Sequence, residues 1–172
     1  MCIRNRITSL VLPFSVNFYG TTQTTINIGS NGYAYFGTAN GGSILSGGVT
    51  NGINIFAADM LPAAGNVSYG TVGISPNQIF VIDWTNMPEF SGAGLHSGQI
   101  QIFQNGRIEI HVTSATSSTR AKTLGLRNAA GTDNAIPTGF NTATWTVSTP
   151  IAYAFTQCFT ATITGYSLSL IQ

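Results

Sequence analysis

Arg107, Glu109 and His111 fall at every second position of the stretch IQIFQNGRIEIHV, residues 100–112. A base, an acid and a titratable imidazole on one side of a strand could hold a ligand, bind a metal or move a proton. Alternate residues lie about 7 Å apart along a strand, so Glu109 reaches either neighbour. A transition-metal site needs three or four ligands. Glu109 and His111 supply two, and the glutamines a hairpin would set opposite them, Gln99 and Gln101, are poor ligands for such metals. The competing reading is the outer, solvent face of a hairpin. It is the reading adopted here, because too few reactive side chains converge to make a catalytic centre.

Other reactive residues add little. The acidic stock is Asp59, Asp83, Glu89, Glu109 and Asp133. A glycosidase needs two carboxylates about 5–10 Å apart, and no local motif pairs any two of these. Asp83 in IFVIDWT either shares a face with Ile79 and Val81 or marks where the polar side of its strand begins. Asp59 in AADMLP reads as a turn cap and is a weak calcium candidate, since calcium wants six to eight oxygens. No Gly-x-Ser-x-Gly elbow is present. A Ser-His-Asp triad would have to use His96 or His111, and His96 falls in SGAGLHSG, read as an exposed loop. Cys2 and Cys158 define neither a disulfide framework nor a zinc spacing. These residues imply no enzyme, no cofactor and no metal.

The aromatic residues are the better lead for binding. Tyr33 and Tyr35 are expected on an exposed outer hairpin face. Trp84, Phe90 and Trp145 fit either core or surface. The candidate ligand-binding residues are therefore Tyr33, Tyr35, Gln99, Gln101, Arg107, Glu109 and His111.

These residues must be positioned by strands. The chain of 172 residues is 43% hydrophobic yet only 6% charged, against about a quarter charged in an average soluble domain. Ser, Thr, Asn, Gln and Gly make up the polar remainder, a surface style that suits β-rich extracellular or virion proteins. The formal net charge is +1, with no basic stripe for nucleic acid. No apolar run approaches the ~20 residues of a membrane-spanning helix, and no amphipathic basic segment marks a membrane surface. Short alternating segments recur between Gly, Asn and Pro. They are expected as strands at 16–20, 24–29, 33–37, 53–57, 67–74, 78–85, 98–104, 107–113, 123–128, 144–148 and 152–156. The expected fold is all-β: an antiparallel, jelly-roll-like β-sandwich of roughly a dozen short strands with little or no helix.

Two hairpin registers follow from side-chain faces. A three-residue loop, Gln104-Asn105-Gly106, pairs Ile102 with Ile108 and Ile100 with Ile110. It also pairs Gln101 with Glu109 and Gln99 with His111. One face is then aliphatic and the other polar, and a one-residue slip would destroy that segregation. A type I turn closed by a left-handed glycine suits this loop. By the same logic a Ser30-Asn31-Gly32 loop pairs Ile28 with Ala34 and Ile26 with Phe36 inside, and Asn27 with Tyr35 and Gly29 with Tyr33 outside.

The order of segments resembles nidogen-like extracellular domains and related bacterial surface modules. LPFSVNFYGTTQTTINIGSNGYAYFG is similar to their opening strands and Ser-Asn-Gly turn. INIFAADMLPAAGNVSYGTVG, QIFVIDWTNMPEF, GQIQIFQNGRIEIHV and TLGLRNAAGT resemble the segments that follow. Where the family has paired acids after an aromatic run, Phe56-Ala57-Ala58-Asp59 leaves Asp59 alone. The resemblance covers roughly residues 11 to 155 and implies a non-catalytic extracellular adhesion or interaction module.

Residues 1–10 are read as a non-native or disordered leader, and 11–172 as one domain, a possible fragment of a larger protein. The expected partner is a protein or glycan on a surface. The alternative is a virion or tail-fibre protein, for which a homo-oligomer is expected. A carbohydrate-active enzyme is the weaker alternative.

Overall fold

The computed structural model describes residues 6–38, 48–90, 94–116 and 120–156. Cys2 and Cys158 lie outside them. The strands are β1 (Arg6–Phe18), β2 (Thr21–Gly29), β3 (Tyr33–Tyr35), β4 (Gly52–Asn54), β5 (Asn66–Val72), β6 (Ile79–Pro88), β7 (Leu95–Phe103), β8 (Ile108–Ala115), β9 (Gly125–Arg127), β10 (Asn134–Ala135) and β11 (Ile151–Phe155). They form two sheets, ordered β1-β2-β3-β4-β9-β10 and β11-β8-β7-β6-β5, with every ladder antiparallel. Among the described residues there is no helix, so none is long and apolar enough to cross a membrane. The chain is an all-β sandwich.

Period-two patterning builds the interior. Phe80, Ile82 and Trp84 of β6, Ile100 and Ile102 of β7, and Ile108, Ile110 and Val112 of β8 form one buried cluster with Ile26, Ile28, Ala34 and Ile53 of the other sheet. Each such aliphatic or aromatic side chain contributes about 1.5–3 kcal/mol by burial. The Trp84 indole N–H donates to the Gly29 carbonyl at 3.2 Å, linking the sheets through an otherwise orphaned donor.

Both hairpin registers match the expectation. In β7–β8, Gln99 pairs with His111, Ile100 with Ile110, Gln101 with Glu109 and Ile102 with Ile108. The turn closes through Gly106 N–H to the Phe103 carbonyl at 2.9 Å. Gly106 has φ +88°, a conformation open to glycine and costly for a residue with a Cβ. In β2–β3, Ile28 pairs with Ala34 and Gly29 with Tyr33.

Three expectations need correcting. Residues 6–10, expected in a non-native or disordered leader, are ordered in β1, where Ile7 pairs with Ile28 and Leu10 with Ile26. An irregularity around Ser9 absorbs the register shift there, with the Ser9 N–H donating to Asn27 Oδ1 at 2.9 Å. The segment 144–148 is no ladder strand. It makes one isolated pairing, Val147 with Ala115, next to that of Ala143 with Lys122, and Trp145 anchors it in the core. Finally, Tyr33 and Tyr35 are buried, 7% and 4% exposed. They do lie on the face away from the main core. However, the chain before β4 folds back over that face: Asn54 holds it by accepting from the Val49 N–H at 2.7 Å. Val49 then packs with both tyrosines in a second small cluster.

Candidate binding face

The outer face of the five-stranded sheet gathers most of the candidate residues. Outer positions of β6, β7 and β8 align in two rows: Asp83, Gln99 and His111, then Val81, Gln101 and Glu109. The flanking outer positions are small. Ser68 and Gly70 stand beside Asp83 and Val81 on β5, and Ala152 and Ala154 beside His111 and Glu109 on β11. Among the described residues the polar rows therefore stand open on a shallow platform.

Neighbouring side chains hold one another in place. Gln99 Nε2 donates to Asp83 Oδ1 at 2.9 Å, and Gln101 Nε2 donates to Gln99 Oε1 at 3.1 Å. The Thr85 hydroxyl donates to Asp83 Oδ2. His111 Nε2 meets Glu109 Oε2 at 2.8 Å, and Arg107 Nε lies 3.3 Å from Glu109 Oε1. The Arg107 guanidinium also sits over the Phe103 ring, 4.0 Å from its centroid, a cation–π contact. These mutual contacts explain why the charged trio is half-covered rather than bare: side-chain exposure is 41% at Arg107, 36% at His111 and 18% at Glu109.

The platform combines amides, carboxylates, an imidazole and a guanidinium. Amides both donate and accept, so the surface can match hydroxyl- or peptide-rich ligands. It gathers Gln99, Gln101, Arg107, Glu109 and His111, and adds Asp83, whose face the sequence left open. Tyr33 and Tyr35 are on the other sheet and do not join it. Asp59 faces Arg120, with Oδ2 to Nη1 at 3.8 Å. Trp84 and Trp145 are core residues, whereas Phe90 is 48% exposed.

A second cluster was missed from the sequence. Glu89, His96 and Lys122 meet between the sheets with no exposed side-chain surface. His96 Nε2 is 3.0 Å from Glu89 Oε1, and Lys122 Nζ is 3.6 Å from the same oxygen. The Phe56 ring lies 5.1 Å from the imidazole, and Lys122 Nζ lies 4.8 Å from the Trp145 ring centroid. Burial pushes the His96 imidazole below its ordinary value, the Lys122 charge adds to this, and the hydrogen bond to Glu89 opposes both. Burial likewise lowers Lys122, against the pull of Glu89. His96 is a β7 residue, not an exposed loop residue. Counting back by twos from Ile102 through Ile100 and Gly98 reaches it on the inner face, and that was the available signal. At the opposite end of β7, a cleft of about 720 Å³ opens beside Phe18, Tyr19, Ile108, Leu126 and Phe155. None of the platform's polar residues lines it, although Ala154 at the platform's flank does.

Comparison with known protein families matches residues 4–167 to the family described as NIDO related. The chain belongs to the nidogen-related family. That family is typically extracellular, so this is a module of extracellular type. No curated protein and no solved structure matches the chain. The match spans both sheets of the nidogen-related module, including the platform strands β6, β7 and β8 and the buried cluster.

Proposed function

We propose that this nidogen-related module is a non-enzymatic adhesion or interaction domain that binds a protein or glycan outside the cell. The binding surface is the outer face of β6, β7 and β8. One observation carries the reading: Asp83, Gln99, Gln101, Glu109 and His111 align across three strands and are fixed by their own hydrogen bonds. Side chains already ordered lose less entropy when a ligand binds. Small residues on both flanks leave the face accessible to a large, flat partner.

The test is binding of the purified module to arrays of glycans and extracellular matrix proteins. A Gln99→Ala, Gln101→Ala, His111→Ala triple variant that keeps its fold should lose about tenfold or more in affinity, roughly 1.4 kcal/mol. Unchanged binding by the folded triple variant would remove this face as the site. Turnover of a glycan, abolished by Glu109→Gln or Asp83→Asn, would overturn the non-enzymatic reading.

A further inference from the structure

Lys122 is an unusual residue to find inside a β-sandwich. Its side chain has no exposed surface, and Nζ has no hydrogen-bond partner among the described residues. An ammonium carries three donors, and burying it without acceptors costs several kcal/mol. The Glu89 carboxylate at 3.6 Å offers charge compensation without a hydrogen bond. Desolvation favours the neutral amine, which has the lone pair an ammonium lacks. Glu89 Oε1 is also in contact with His96 Nε2 at 3.0 Å, and His96 Nδ1 has no hydrogen-bond partner among the described residues. A nucleophile, an acyl carbon and a proton carrier are thus in one apolar compartment walled by Phe56 and Trp145.

We propose that Lys122 and Glu89 join in an intramolecular isopeptide bond, with His96 carrying the proton. The step balances without a co-reactant. A proton passes from the Lys122 ammonium to the Glu89 carboxylate, the resulting neutral amine attacks Cδ of the protonated acid, and an Nζ–Cδ bond forms. His96 Nε2 takes a proton from the attacking nitrogen and returns it to Oε1. The Cδ–Oε1 bond breaks, and Oε1 leaves as water with that proton and the original acid proton. Nothing is oxidised or reduced. The product replaces three buried ammonium donors and a carboxylate with one amide N–H and one carbonyl, which relieves the cost of burial.

The bond would tie the two sheets together. Lys122 continues the β9 side of the first sheet: the next residue, Thr123, donates its N–H to the Phe56 carbonyl at 2.8 Å, beyond β4. Glu89 follows directly on β6 of the second sheet. A covalent staple there suits a module that carries load, but its formation is independent of the platform's ligand.

Intact mass spectrometry of the full chain, denatured and reduced, tests the proposal. The wild type should be lighter than its sequence mass by one water, and proteolysis should yield a branched peptide containing both Lys122 and Glu89. Lys122→Arg should have its full sequence mass. His96→Ala should accumulate the unlinked form before linking. Glu89→Gln, if it links, should release ammonia and reach the same final mass as the linked wild type. A folded wild-type chain at its full sequence mass overturns the proposal, whatever the variants do. So does a water loss that maps to any other pair of residues.

Discussion

His96 Nε2 and Glu89 Oε1 meet at 3.0 Å with no exposed surface on either side chain. Burial, with Lys122 beside it, holds the imidazole below its ordinary value despite Glu89. A histidine lowered in the folded state takes up its proton more readily when the chain unfolds. Above the unfolded value of about 6.5 both states are neutral and the fold keeps its full stability. As the pH falls below about 6.5 the unfolded state gains a proton first, and stability declines until the folded value is passed. Thermal melts from pH 7.5 downward should therefore show a falling midpoint that begins near pH 6.5. A His96→Gln variant should lack that component, so the difference between the two curves isolates it. Parallel curves over that range would show that His96 does not titrate on unfolding.

The hairpin of β7 and β8 was legible because its information is local. Turn chemistry at Asn105-Gly106 and alternating isoleucines fix one register, and Ile100 meets Ile110 as expected. The buried cluster was not legible, for an equally physical reason. The β6–β7 register shifts between Trp84 and Met87, with Asn86 at φ +51°. That irregularity breaks simple alternation, so Glu89 turns inward where counting from Trp84 gives no warning. Lys122 comes from a distant segment, and no local pattern joins it to His96. The same holds for Tyr33: its face was readable, but its cover comes from Val49, held by Asn54.

Tyr33 should therefore behave as a core residue and not as a ligand contact. Its ring stacks above Gly29, where any Cβ would collide with it. Tyr33→Ala removes that packing and the contact with Val49, and should cost about 2–4 kcal/mol in chemical denaturation. An exposed ring would give a change within about 0.5 kcal/mol, and that result would restore the exposed reading.

Glu109 should show the opposite profile. Its partners Arg107 and His111 are partly solvated, and exposed ion pairs are worth about 0–1 kcal/mol. Glu109→Gln should cost less than about 1 kcal/mol, with the deficit shrinking as salt rises. A loss of 3 kcal/mol or more in urea titrations would mean that this pair is desolvated, and that the platform is packed against something rather than open.

Gly98 and Gly70 make a paired test of the sandwich geometry. Gly98 lies on the inner face of β7, where an added Cβ would meet the His111 carbonyl and come within 2.9 Å of Ile55 Cδ1 on the facing sheet. Backbone cannot yield there as a flexible side-chain tip could. Gly98→Ala should therefore destabilise the fold by about 1–3 kcal/mol through overpacking. Gly70, on the outer face of β5, has nothing within 4 Å of the same position. Gly70→Ala should be neutral or slightly stabilising, because it removes backbone freedom from the unfolded chain. Denaturation midpoints for the two variants measured side by side check the close packing around Gly98: equal midpoints would contradict the close approach of the His111 backbone to that position.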